Sequence, residues 1–330
     1  MLVIDTHHHY VPPALVARYD GGRSGTQVAP PGMTKINSHP GLSDVDERLR
    51  TMDAAGVDVA VLSSILSWDA SAEECRITND AFAGLQTSHP GRFAGLAHVP
   101  TGMTAESLNE VDRALGDLGL RGLSLPSQPD GHPLDAPELW PLYEKACAWD
   151  VPIFVHPAMP PRGYAFIGDY DLSRIVGREL DLILQTTRII ASGLLDRFPT
   201  LTFVMSHMGG GIAAITERLR GKQHRFGPHL ERSFDEYLGR IHFDLAGFEG
   251  GPGALACALT ALDPATLLFG TDFPQDFSGV GSVETKGAAG IAAYVRAVAD
   301  LDLPDGLPAA ILGGTAARLL GLDSSGRPRA

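Results

Sequence analysis

Four stretches spread between Ile4 and Pro274 each set a metal-ligating side chain at the end of an apolar run. They are Ile4-Asp5-Thr6-His7-His8-His9, Ile153-Phe154-Val155-His156-Pro157, Phe203-Val204-Met205-Ser206-His207-Met208-Gly209-Gly210-Gly211 and Leu268-Phe269-Gly270-Thr271-Asp272-Phe273-Pro274. A near-continuous apolar run is the signature of a strand buried on both faces of a parallel sheet. An imidazole or carboxylate just beyond it, followed by a turn former, is how a parallel barrel presents ligands at its C-terminal mouth. One such stretch is a weak signal. Four together require a fold that gathers strand ends around one centre.

The rest of the chain has the matching rhythm. Apolar runs at 2–5, 57–64, 93–99, 122–125, 153–156, 202–207, 241–244 and 266–270 read as strands. Helical patterns lie between them at 45–55, 72–88, 105–116, 137–148, 172–195, 211–220, 253–262, 283–299 and 309–319. In the first of these, Leu49, Met52 and Val57 continue an apolar stripe around a polar face of Arg48, Arg50 and Asp53, and Ser43 stands where a start signal belongs. Strict alternation predicts an α/β fold, a (β/α)8 TIM barrel forming one domain over 1–323, with 324–330 as a loose tail. A dinucleotide fold would want GxGxxG after the first strand, and Thr6-His7-His8-His9 stands there instead. Two connections exceed ordinary loop lengths: 20–43, rich in Gly, Pro and Ser, and 157–171. Both follow strand ends on the side that carries chemistry, so they are expected to cover the pocket.

Lys+Arg 26 against Asp+Glu 39 gives a net charge of −13, which disfavours nucleic acid and anionic membrane as partners. Cys75, Cys147 and Cys257 are odd in number and far apart, as expected for free thiols of a reducing compartment. The chain enters a strand at Leu2-Val3-Ile4 without a leader pattern, and no run approaches a membrane span, so a cytoplasmic location is expected.

In an extended strand residues i and i+2 share a face, so His7 and His9 can enter the lumen together. His156 adds a third nitrogen and Asp272 an oxygen. Three imidazoles and a carboxylate suit one divalent ion per chain, zinc first, with manganese or iron also acceptable. His8, between two inward residues, should point away. His207 is expected to act beside the metal as an acid/base or as a clamp on a substrate carboxylate, and Asp272 as a general base or, once protonated, a proton donor. The Gly-rich exit after His207 reads as a helix opening whose N–H groups favour an anion.

Lesser candidates surround these. Asp5 can hydrogen-bond within the barrel; His98 and Asp244 sit at the right level with their facing open. Tyr10 and Trp68 could stack on an aromatic substrate or simply pack a lid. Arg162, Arg174, Arg178 and Arg225 are candidate carboxylate clamps, and Asn79-Asp80 is read as a cap or bridge without chemistry. A second metal would want a lysine at the end of strand four, where the sequence has Leu123-Ser124-Leu125-Pro126; Lys35, Lys145, Lys222 and Lys286 all fall elsewhere.

These stretches, together with Met52-Asp53-Ala54-Ala55-Gly56-Val57-Asp58 and Ile190-Ala191-Ser192-Gly193-Leu194-Leu195-Asp196-Arg197-Phe198-Pro199, resemble the amidohydrolase-2 branch of the amidohydrolase superfamily over nearly the whole chain. The branch includes decarboxylases of aminocarboxymuconate semialdehyde and of salicylate- and resorcylate-type acids. The resemblance implies His7, His9, His156 and Asp272 as metal ligands, His207 as the catalytic histidine, and a homodimer. The arginine that holds the aminocarboxymuconate carboxylate has no clear match in 32–41, where Lys35 and His39 are the basic residues, which turns the expectation toward hydroxybenzoates. The resulting expectation is a metal-dependent, non-oxidative decarboxylase (a carboxy-lyase) of an aromatic or enoic carboxylic acid. A hydrolase or hydratase acting on a lactone or amide from the same barrel is the alternative, and a non-catalytic binding barrel a third.

Overall fold

A computed structural model describes residues 1–20, 27–28, 36–37, 40–65, 70–100, 102–158, 160–247, 251–274 and 287–329. Eight parallel strands run through it: β1 (Ile4–His9), β2 (Val59–Ser63), β3 in two pieces (Phe93–Gly95 and Ala97–His98), β4 (Leu123–Pro126), β5 (Ile153–His156), β6 (Phe203–Met205), β7 (His242–Asp244) and β8 (Leu267–Leu268). The first piece of β3 pairs with β2 and the second with β4, so β3 joins the β1–β2 side to the run from β4 to β8. The ring returns to β1 through backbone bonds just beyond β8: Thr6 N–H to Phe269 O (2.9 Å), Asp272 N–H to His7 O (2.9 Å) and His9 N–H to Phe273 O (2.7 Å). β1 extends through His9 instead of ending at Asp5 because it pairs with β2 as far as Ser63 and takes these bonds on its other edge. The histidines lie within the strand, and a register shift between Asp5 and His8 accommodates them.

The helices fall between the strands as the periodicity predicts, with ends set by local chemistry. Val45–Ala55 begins after Asp44, whose carboxylate accepts from Glu47 N–H at 2.9 Å; Ser43 belongs to the preceding turn and is not the cap. Ala72–Ser88 opens on a reciprocal Ser71–Glu74 box. The expected 172–195 helix is divided: Arg178–Ala191 continues from Ser173–Gly177, and Gly193 in the left-handed region breaks it before Leu194–Arg197. Of the long connection 20–43, the described part holds a two-residue antiparallel pair, Gln27–Val28 with Ile36–Asn37.

Phe154, two residues before His156 and on the same face of β5, packs with Ile4, Val61, Leu96, Val204 and Leu268 as a plug beneath the mouth. Fully buried side chains of this kind contribute roughly 1.5–3 kcal/mol each, so the floor under the site is stiff. Arg48 departs from the expected polar face. It is fully buried, donates to His9 O (2.8 Å) and Gly41 O (2.7 Å), and lies between the rings of Tyr10 and Phe273. A cation enclosed in this way ties the end of β1 to its neighbours instead of meeting solvent.

Candidate metal centre

Ring nitrogens of His7, His9 and His156 and a carboxylate oxygen of Asp272 lie within 4.8 Å of one another, all four residues buried. His7 Nε2 is 3.2 Å from His9 Nε2, and Asp272 Oδ1 is 2.9 Å from His9 Nε2 and 3.5 Å from His7 Nε2. The opposite ring nitrogens explain this orientation. His7 Nδ1 donates to Asp244 Oδ2 (2.8 Å) and His156 Nδ1 to the carbonyl of Pro157 (2.8 Å), while His9 Nδ1 bonds Ser63 Oγ (3.0 Å). A carboxylate and a carbonyl only accept, so Nδ1 carries the proton in His7 and His156 and Nε2 is left as a bare lone pair. Lone pairs and an anionic oxygen turned toward one point require a cation between them. The donor set therefore fits one divalent ion.

Without such an ion a proton takes its place. Burial disfavours a charged His7, but Asp244 and Asp272 outweigh it and push the ring up to about 9. Asp272 moves the other way: burial alone would raise it, yet the charge of His7 and the bond from His9 hold it well below the usual carboxylate range. The crowded imidazoles His9 and His156 are pushed down, chiefly by burial.

Asp5 sets the position of Asp272. Its fully buried carboxylate accepts from Thr271 N–H (3.0 Å), Thr271 Oγ1 (2.6 Å), His7 N–H (3.2 Å) and His8 Nδ1 (2.8 Å), stapling β1 to the segment after β8. Gly270 permits that approach, since a Cβ there would lie 3.0 Å from that of His7. Asp272 itself has φ 62, a left-handed conformation that aspartate tolerates better than most residues. His8 points away as expected, bonded to Asp5 and stacked on Phe273 at 4.5 Å. Asp244, whose facing was open, points inward: Oδ2 orients His7, and Oδ1 accepts from His207 N–H at 2.9 Å.

His207 is fully buried and stacks on His7 at 5.3 Å, with Nδ1 held by Glu179 Oε1 at 2.9 Å. Its Nε2 has no hydrogen-bond partner and lies 3.9 Å from Asp272 Oδ2. The Gly-rich exit does not present a helix N-terminus to an anion. Residues 207–211 all have φ between 51 and 80, winding a left-handed turn that glycine permits. The closeness serves packing: a Cβ on Gly210 would sit 2.1 Å from Glu179 O, and one on Gly209 2.9 Å from the Phe243 ring.

Other candidates lie away from the centre. Tyr10 is only 4% exposed, packed toward Phe82 and Arg48, because its neighbour His9 takes the inward face. His98 accepts Ser64 N–H, and Asn79 bridges the His98 backbone to Glu110. Arg162 is exposed with its guanidinium against Gly131, Arg174 pairs with Asp171 at 3.3 Å, and Arg225 is exposed. Arg178 is closer to the chemistry: its charge is felt at His156. Trp68, Lys35, His39 and Lys286 lie outside the described residues. Sequence reasoning passed over Glu179 and Asp181. Asp181 is a buried carboxylate bonded to Ser127, Gln128, Tyr164 and Gln185, which ties the segments after β4 and β5 to the Arg178–Ala191 helix. Acids in a first helical turn are ordinary dipole partners, so only their placement opposite His207 and Ser127 sets them apart.

The chain is similar to known proteins over much of its length. Decarboxylase orsB of Emericella nidulans is 34% identical over 207 residues, 57% of this chain and 62% of that protein, so the match spans less than two thirds of the relative's length. The crystal structure of 5-carboxyvanillate decarboxylase from Sphingomonas paucimobilis is 26% identical and superposes with a TM-score of 0.77, covering 98% of this chain and 99% of that one. A dihydroxybenzoic acid decarboxylase from Polaromonas sp., solved with bound manganese and the inhibitor 2-nitroresorcinol, shares the fold at 21% identity and a TM-score of 0.74, covering 97% and 96%. The Amidohydrolase family model (Amidohydro_2) matches residues 4–322, and the chain belongs to that family.

Proposed function

We propose that the chain is a metal-dependent, non-oxidative decarboxylase of an aromatic acid of the hydroxybenzoate type. His7, His9, His156 and Asp272 would hold one divalent ion, and His207 would serve as the acid/base. The observation that carries the reading is the convergence of three imidazoles and a buried carboxylate, with the unpartnered Nε2 of His207 at their edge. The decarboxylases among the relatives support the reaction class.

A bound divalent ion supplies Lewis acidity toward the substrate carboxylate and a neighbouring oxygen. The remaining work belongs to the side chains. Asp272, ionised at rest, must take a proton before it can give one; His207 Nε2, 3.9 Å away, is placed to pass one after first taking it up from solvent, its Nδ1 proton staying with Glu179. A proton delivered from Asp272 or His207 adds to the ring carbon bearing the carboxylate. The carbon–carbon bond then breaks, its electrons restore the ring, and CO₂ leaves. No oxidant or reductant enters this balance. Arg178, only 17% exposed at its side chain, is the candidate clamp for a second acidic group of the substrate.

Zinc is the first choice for three nitrogens and one oxygen, while the manganese of the Polaromonas enzyme makes that ion the direct competitor. We propose a homodimer as well. Phe166 and Tyr170 are 95% and 88% exposed, and Ile175, Val176, Leu180 and Leu184, close by in the chain, are exposed as well. Large apolar side chains left in solvent are of the kind that a subunit interface buries. Free Cys75, Cys147 and Cys257 support a reducing, cytoplasmic setting, and no described helix is long and apolar enough to cross a membrane.

The test is metal analysis of purified protein beside a CO₂-release screen on hydroxybenzoates, with His156→Ala as control. One ion per chain and CO₂ release that the substitution abolishes would support the reading. Bound metal without CO₂, but with turnover of a lactone or amide, would replace it by the hydrolase.

A further inference from the structure

The geometry points to Glu179 as the positioning residue of His207, a role that rests on His207 being the acid/base of the site. Each side of that imidazole is accounted for. One face stacks on His7 at 5.3 Å and 26°. Gly247 backs the ring so closely that a Cβ there would lie 2.2 Å from Cγ, and Asp244 accepts the His207 backbone N–H. Glu179 Oε1 accepts from Nδ1 at 2.9 Å. Ser206 to Gly211 can come this near to Glu179 because Gly210 leaves room for the Glu179 carbonyl.

A carboxylate accepts and does not donate, so Glu179 fixes the neutral imidazole as the Nδ1–H tautomer. The bare Nε2 then faces Asp272 and can take up or release a proton there. Without that acceptor the ring can place its hydrogen on Nε2, where it would meet the Asp272 carboxylate and leave no lone pair on the reacting side. A wrong tautomer is costly in catalysis even when the geometry survives. The Arg178 Nε, 3.3 Å from the same Oε1, helps to aim the carboxylate. Glu179 lies in the first turn of a helix that Asp181 anchors to Ser127 and Gln128, just past β4, and to Tyr164 in the connection after β5.

Two substitutions test this, Glu179→Leu, which removes the acceptor, and Glu179→Gln, which is nearly isosteric and safeguards against a folding defect. The direct readout is the ring ¹⁵N spectrum of selectively labelled histidine in zinc-loaded protein. Wild type should show His207 with hydrogen on Nδ1, and both variants a shift toward Nε2–H, Leu more than Gln. With an active substrate, kcat should fall about 10-fold or more in the Leu variant, with Gln intermediate, KM changed by less than about threefold and metal content unchanged. An unaltered ¹⁵N pattern in both variants overturns the assignment. Loss of bound metal in the Gln variant also overturns it, since Glu179 would then prop the metal site. A wild type that binds metal but decarboxylates nothing sinks the proposed function alone, because the tautomer readout needs no turnover.

Discussion

On the β8 side of the mouth, Asp5 accepts four hydrogen bonds, three backbone bonds tie β1 to 269–273, and Asp272 sits over strands that are almost wholly buried. On the β5 side the chain leaves His156, runs through the exposed Phe166 and Tyr170, both with positive φ, and returns along a helix whose outer face is apolar and open. Aromatic residues in the left-handed region cost roughly 1–3 kcal/mol each unless their surroundings hold them. The first side is over-determined by the barrel and fixes the ligand geometry. The second is held inward mainly through Asp181 and Glu179, and changes there are expected to leave the four proposed ligands in place.

The largest effects should come from the rigid side. His7→Ala or Asp272→Ala should lower bound metal at least ~10-fold and abolish turnover, as measured by metal analysis after dialysis. Asp244→Asn keeps the shape but loses the charge that orients His7, so metal affinity should fall about 10- to 100-fold by competition with a chelator. Asp5→Ala leaves several buried donors unpaired and should destabilise the fold by about 2–4 kcal/mol in urea unfolding. A smaller effect follows from the shifted His7. In metal-free protein its value of about 9 stands above the ordinary 6.5, so the ring is protonated near neutrality. Metal binding at about pH 7.5 should therefore release roughly one proton, and the number should shrink as pH rises through about 9, by calorimetry in buffers of different ionisation enthalpy. The mildest change belongs to the open side: Phe166→Ser with Tyr170→Ser should leave metal content unaltered and stability within about 0.5 kcal/mol, while light scattering shows the mass fall from dimer to monomer.

Much of the rigid side is legible in the sequence, because strands write their burial as apolar runs and their ends as chemistry. His7, His9, His156 and Asp272 stand out for that reason. Glu179 and Asp181 do not, since nothing local distinguishes a first-turn acid that faces a histidine from one that faces water. Arg48 reads as a surface residue because periodicity cannot reveal three carbonyls waiting for a guanidinium. The Gly-rich exit is visible as a close approach, but its hand and its neighbour are tertiary facts. Asp244 could be placed at the right height by its strand and turned inward only once His7 was seen beside it.

The most direct single measurement is anomalous diffraction at the metal edge from crystals of the protein as purified. The expected result is one peak per chain, bonded to Nε2 of His7, His9 and His156 and to Asp272, with His207 and Glu179 in contact behind it. A peak bound elsewhere, or none at these four residues in protein supplied with zinc and manganese, would contradict the metal centre on which the proposed chemistry depends.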